Sequence, residues 1–211
     1  CAFIEVFYCS GKGWNSRMKI LKVAVGNAHE AFIEDNFTDK VNIISSDDNN
    51  KGKTIVIQAM MYAMGNEPTF PTSFEYQKYY YYVEFEEKRQ VYKVCRLGNG
   101  FALKKSSIVL IFDNVAEFKR YWNKEISPLP RIVKNQMLKI VDPVLFFQIF
   151  FVGQDKKDTS NIAHRGLYNK QDFMEMLYAY EGLGSEQLSQ ESIDKIKRKI
   201  TELSDERKTV L

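Results

Sequence analysis

Lys53 and Thr54, placed directly behind Gly52, are the residues of this chain best suited to chemistry. They close the polar run Asp47-Asp48-Asn49-Asn50-Lys51-Gly52-Lys53-Thr54. That run fits the end of the phosphate-loop pattern G-x-x-x-x-G-K-[ST], with Asp47 where the pattern has its first glycine. The chemistry of such a loop is anion binding. Phosphate oxygens are held by backbone N–H groups that converge only where the chain wraps tightly, and Gly52 allows that close approach. Lys53 brings a point charge to the phosphates, the Thr54 hydroxyl can ligate Mg²⁺, and the dipole of a helix opening here adds to both. Asn49 and Asn50 adopt left-handed backbone angles more readily than most residues and so partly replace a missing glycine. Asp47 acts in the other direction, because an anion near a polyphosphate is unfavourable unless it points away. The nucleotide-binding reading takes Asn49, Asn50, Lys51, Gly52, Lys53, Thr54 and Ile55 together; the plain alternative is a polar strand-to-helix loop that contains GKT.

The elements around the loop are those the motif requires. VNIIS (41–45) is a short apolar, β-branched run that predicts a buried strand, and TIVIQAMMYAMG (54–65) predicts a helix ending at Gly65, with Ile55, Ala59, Met60 and Ala63 at helical spacing. Strand, polar loop and helix therefore follow in order. Upstream, KILKVAVG (19–26) alternates as a strand, and AFIEDNF (31–37) predicts a second. Downstream, 66–77 is a loop, and YYYYVEFEE (79–87), QVYKVCRL (90–97), FALKK (101–105) and SIVLIFD (107–113) predict a Tyr-rich antiparallel meander with turns at Lys88-Arg89 and LGNG. Tyr79 and Tyr81 share one face of their strand, Tyr80 and Tyr82 the other, and one of those faces belongs to the core. NVAEFKRYWNKEI (114–126) predicts an Asn-capped helix broken by SPLP, and VDPVLFFQIFFV (141–152) an apolar helix with Pro143 in its first turn. A polar loop (153–166), a glycine-stopped helix (170–184) and a charged helix (186–211) complete the chain.

Composition bounds the function classes. In 211 residues, 45% hydrophobic and 27% charged, the chain is globular rather than disordered or fibrous. A formal charge of +3 neither requires nor excludes nucleic acid. Cys1, Cys9 and Cys95 are too widely spaced for a zinc site or a disulfide framework, and two histidines (His29, His164) argue against a histidine-rich metal centre. A reducing, cytoplasmic setting fits this cysteine usage. The longest apolar run, VLFFQIFFV (144–152), is too short to span a bilayer, so no membrane partner is expected. Residues 1–17 lack the pattern of a signal peptide and read as an N-terminal extension, with the fold beginning at Met18.

VNIISSDDNNKGKTIVIQAMMYAMG resembles the first motif of ABC-type head domains in chromosome-maintenance, RecN-like and double-strand-break-repair ATPases (SMC-like ATPases), with Asn49 at that family's asparagine. KILKVAVGNAHEAF is similar to the opening strand; the segment after it, N-F-[RK]-S in the family, is Asn27-Ala28-His29-Glu30 here, so His29 stands nearest the family's nucleotide-holding basic residue. FFVGQDKKDTS (150–160) resembles the Q-loop, with Gln154 as the glutamine that touches Mg²⁺ and the attacking water, and Asp155 as its neighbour. Ile193, Ile196, Ile200 and Leu203 form an a/d stripe similar to the start of the coiled coil that splits such heads.

The resemblance implies an α/β fold: a P-loop NTPase head lobe with a mixed sheet and an antiparallel sheet over 18–184, and a coiled coil from 185–211. It implies ATP and Mg²⁺ as ligands, with Lys53 and Gln154 catalytic and Thr54 and Gln154 at the metal. It also implies the chain's own C-terminal head half, a second head and DNA as partners, with roles in DNA repair, recombination or defence against foreign DNA. The signature motif LSGG and a Walker B strand with its glutamate are not in this sequence. IVLIFDN ends in Asp113 but precedes the Q-loop and lacks the glutamate, so it reads as a structural strand. Lys104, Lys105, Lys119, Arg120 and Lys124 read as solvated faces, and Lys195, Lys197, Arg198 and Lys199 as the best DNA-facing group. Two other readings stay open: a complete small phosphate-loop kinase or GTPase, and a scaffold that binds nucleotide through a degenerate loop without hydrolysing it.

Overall fold

A computed structural model of the chain describes residues 2–4, 7–11, 14–38, 42–44, 52–134, 137–149, 168–182, 197–198 and 200–201. In chain order they form β1 (Ala2–Ile4), β2 (Phe7–Gly11), β3 (Trp14–Gly26), β4 (Ala31–Glu34), β5 (Asn42–Ile44) and α1 (Lys53–Ala63). There follow β6 (Tyr80–Glu87), β7 (Gln90–Leu97), β8 (Gly100–Lys105), β9 (Ile108–Phe112) and α2 (Val115–Tyr121). The last are β10 (Arg131–Lys134), β11 (Met137–Ile140), α3 (Pro143–Phe146) and α4 (Lys170–Tyr180).

The main sheet runs β2-β3-β6-β7-β8-β9, with β4 also on β3. Alternation decides its faces: Tyr81, Val83, Phe85 and Glu87 of β6 are buried, as are Tyr92, Val94 and Arg96 of β7. The turns are tight. Lys88 and Arg89, joining β6 to β7, both have positive φ (51° and 65°), the backbone of a type I′ hairpin turn built without glycine.

α1 lies on the buried face against β3, β6 and β7. The spacing of Ile55, Ala59, Met60 and Ala63 predicts a one-sided apolar stripe, yet every residue from Val56 to Ala63 is buried. Tyr62 meets Tyr81 edge-on at 4.8 Å and Phe70 at 5.6 Å, so the loop before β6 covers the side that the sheet does not. Farther along, Phe118 of α2 stacks on Phe101 at 4.4 Å, and Trp122 tilts over Phe85 at 5.3 Å. Full burial of one such side chain contributes about 1.5–3 kcal/mol.

Local signals place the other helices. Asn114 caps α2 by accepting from the Glu117 amide at 3.0 Å, and Asp142 caps α3, with Pro143 at its first turn. α2 runs on through a wider turn, Trp122–Ile126, before the SPLP break. α4 opens on a reciprocal cap between Asn169 and Asp172, and Asp172 also binds Lys134 of β10 at 2.8 Å.

Several expectations change. β5 is a strand but not a buried one: Ile43 is 59% exposed and Asn42 and Ile44 only half-buried. The strand pairs with β1, antiparallel. A short β-branched run satisfies strand geometry without saying which layer covers it. Every pairing among the described residues is antiparallel, so the expected mixed sheet does not appear among them. The strand expected over 31–37 stops at Glu34, whose carboxylate turns back to the Asn36 amide at 2.9 Å. The helix expected over 141–152 is one α-turn, 143–146, followed by a 3-10 turn, 147–149. β10 and β11 form a hairpin that no sequence signal announced. Strands also occur before Met18: β2 and the first residues of β3 pair from Phe7↔Met18 to Gly11↔Trp14. No helix among the described residues is long and apolar enough to cross a membrane.

Candidate functional site

Of the predicted site, Gly52, Lys53, Thr54 and Ile55 lie within the described residues, and they sit together on the first turn of α1. Asn49, Asn50, Lys51 and Asp47 fall outside them, as do Gln154 and Asp155. Of the terminal stripe only Ile200 is described; it is helical and 61% exposed.

Gly52 is the N-cap of α1, at φ 71° and ψ 13°, in the left-handed region. A side chain there would carry backbone strain whatever the space around it. The space itself is open: an added Cβ would meet only the Ile55 Cδ1, at 3.7 Å. The Ile55 amide donates back to the Gly52 carbonyl at 2.9 Å, closing the first turn tightly. The N-cap, being glycine, has no side chain to cap this helix end, and no acidic residue lies in the first turn. The positive end of the helix dipole therefore meets Lys53 and no carboxylate from α1. Gly52, Lys53, Thr54 and Ile55 are all half-buried, on the one turn of the helix that the core leaves partly open. This arrangement suits an anion: a glycine with room for close approach, a first turn without acidic residues, a lysine and a hydroxyl.

One turn beyond Thr54, Gln58 is buried at 6% exposure. Its Nε2 donates to the Thr69 carbonyl at 2.6 Å, and its Oε1 has no hydrogen-bond partner among the described residues. Sequence reasoning gave Gln58 no role, since one polar residue in an apolar helix carries no spacing signal.

The other end of α1 is clamped by a residue that sequence reasoning treated as an ordinary strand position. Arg96 of β7 is 1% exposed. Its Nη1 donates to the Tyr62 and Asn66 carbonyls, each at 2.9 Å, its Nε to the Gly98 carbonyl at 2.8 Å, and its Nη2 to Glu67. The guanidinium lies 3.6 Å from the Tyr62 ring centroid and 4.8 Å from that of Phe101. A cation near helix C-terminal carbonyls is favourable to the dipole, and five donors in one plane let Arg96 join three chain segments.

No protein-family profile and no curated protein matches the chain.

The remaining candidate residues are spread over the fold. Asn27-Ala28-His29-Glu30 forms the turn between β3 and β4, closed by the Asn27 carboxamide accepting from the His29 and Glu30 amides at 2.8 and 3.1 Å; His29 is exposed. Asp113 follows β9 at the sheet's end, as the structural-strand reading expects, and its amide donates to Glu117. Lys119 binds Asp142 at 3.2 Å, and Lys124 binds Glu125 at 3.6 Å, while Lys104 is exposed on β8. Tyr81 faces the core and Tyr80 is 53% exposed, so the tyrosine run splits by face. Burial raises the Tyr81 and Tyr82 hydroxyls well above the usual tyrosine range, and it pushes the Cys95 thiol up as well. A thiol so shifted is a poor nucleophile.

Proposed function

We propose that this chain is the N-terminal lobe of an SMC-like, ABC-type ATPase head, and that it binds ATP with Mg²⁺ at the first turn of α1. The observation that carries the reading is Gly52-Lys53-Thr54 at the opening of α1, with Gly52 left-handed and no carboxylate in that turn. Here the residues fit the ligand. Lys53 and the amides of the first turn would hold phosphate, and Thr54 would hold the metal. Gln154 would orient the attacking water, and the catalytic carboxylate would come from the C-terminal half of the head. Bound Mg²⁺ would screen the phosphate charge during hydrolysis. The cellular role is ATP-driven action on DNA, in repair, recombination or defence against foreign DNA.

Titration with MgATP tests the binding step. The wild-type chain is expected to bind at least tenfold more tightly than Lys53→Ala, with the melting temperature of the ligand-free variant unchanged. Equal affinity of the two would refute the nucleotide reading. Asp47 favours a second reading, in which the loop binds nucleotide but does not support turnover. Asp47→Gly tests that residue: tighter MgATP binding in the variant marks Asp47 as the residue that weakens the loop, and unchanged binding clears it.

A further inference from the structure

β9 ends the main sheet, and among the described residues it pairs with β8 alone. Its sequence is Ile108-Val109-Leu110-Ile111-Phe112, with no charge and no proline. The pairing with β8 runs through all of these residues without a bulge. Edge strands are ordinarily protected by one of those devices, since an open row of N–H and C=O groups templates another strand. Leu110 and Phe112 pack against the core, but Ile108, Val109 and Ile111 are 59%, 58% and 68% exposed. The outward face also continues inward. Ile111 pairs with Ala102, Ala102 with Cys95, Cys95 with Tyr82, Tyr82 with Ala24, and Ala24 with Ile33. That row holds no charged residue and reaches β9 at its edge.

We propose that a second copy of this chain occupies this edge, with β9 pairing antiparallel to β9 about a two-fold axis at Leu110. The strand is its own complement under that symmetry. Ile108 of one copy falls opposite Phe112 of the other, and Val109 opposite Ile111, so every pair is apolar. The ends match as well. Lys104 and Lys105 on β8 stand beside Val109 and Ile108, whereas Asp113 follows Phe112 and lies by Glu117. Antiparallel pairing brings the basic end of each edge to the acidic end of the other, within a Debye length. The product is one continuous sheet across two copies, its outward apolar row doubled at the junction. A five-residue edge is smaller than a standard interface, so the dimer is weak, with Kd in the micromolar range.

Sedimentation equilibrium of the whole chain, from about 2 to about 200 µM and without nucleotide, tests the proposal. Average mass is expected to rise from monomer toward dimer over that range. Val109→Lys and Ile111→Lys each raise the dimer Kd at least tenfold, with the circular dichroism spectrum and melting temperature kept. Ile43→Lys, at an equally exposed position on β5, leaves it unchanged. A chain that stays monomeric at the top concentration overturns the proposal. So does an equal loss in Ile43→Lys, which would mark non-specific apolar association. Because ATP is absent, either result leaves the nucleotide reading untouched.

Discussion

Replacing Arg96 by leucine removes the charge but keeps an apolar body between Tyr62 and Phe101. What is lost follows from the geometry. The Asn66 carbonyl loses its donor at 2.9 Å; the Tyr62 and Gly98 carbonyls lose one donor each, at 2.9 and 2.8 Å, but keep the Gly65 amide and the Tyr62 hydroxyl; and Glu67 loses its cation. An orphaned buried polar group costs about 1–3 kcal/mol. The Glu67 carboxylate is 38% exposed and keeps part of its hydration, so its share is small. One orphaned carbonyl, with about 1 kcal/mol for each of the two hydrogen bonds lost from carbonyls that keep a second donor, puts the cost of Arg96→Leu at about 3–5 kcal/mol. Arg96→Lys retains the charge but cannot reach all four acceptors, and is expected to cost about 2 kcal/mol. Glu67→Gln should cost no more than about 1 kcal/mol. Urea unfolding at constant m-value, followed by far-ultraviolet circular dichroism, reads all three. A loss below about 1 kcal/mol in Arg96→Leu would show that packing of the two rings, and not the guanidinium, holds the end of α1.

Lys88 and Arg89 hold φ of 51° and 65°, so replacing them by Asn-Gly should stabilise the β6–β7 hairpin by about 1 kcal/mol, read as a higher urea midpoint. An unchanged or lower midpoint would mean that the two side chains contribute more than the turn costs them. Raising the pH should unfold the chain readily. Burial is the main cause holding the Tyr62, Tyr81, Tyr82 and Tyr168 hydroxyls above their ordinary range, so these groups keep their protons longer folded than unfolded. Stability is thus complete below pH 10 and falls above it as the unfolded chain ionises first. Absorbance at the tyrosinate band should rise together with loss of ellipticity; tyrosinate formed with ellipticity intact would contradict it.

Local signals in the sequence were sufficient wherever backbone chemistry decides the structure. Gly52 and Gly65 bracket α1, Asn114 and Pro143 open their helices, and the meander from Tyr80 to Phe112 turns where short polar pairs interrupt alternating runs. Layering was less legible. The apolar run at 41–45 has strand composition, but nothing in it states that its partner would be residues 2–4 or that Ile43 would face outward. The β10–β11 hairpin was hidden because its connection, Asn135-Gln136, lacks turn glycine. Of the site, the GKT segment was legible as a motif, and its residues open α1. Arg96 was not legible, since a charged residue in an alternating strand normally faces water. Only the three-dimensional meeting of the end of α1 with the β7–β8 turn gives it four acceptors.

Arg96 also sets which parts of the molecule come apart together. The C-terminal turn of α1 cannot fray without exposing a guanidinium that the β7–β8 turn holds as well, so helix and meander open as one cooperative unit. Amide hydrogens around Tyr62 and Arg96 should therefore exchange at the rate set by global unfolding. The opposite end of α1 opens on Gly52, which has no side chain to cap the first turn. Protection should fall along the helix toward Gly52, so that local opening is easiest at the turn that carries the GKT residues.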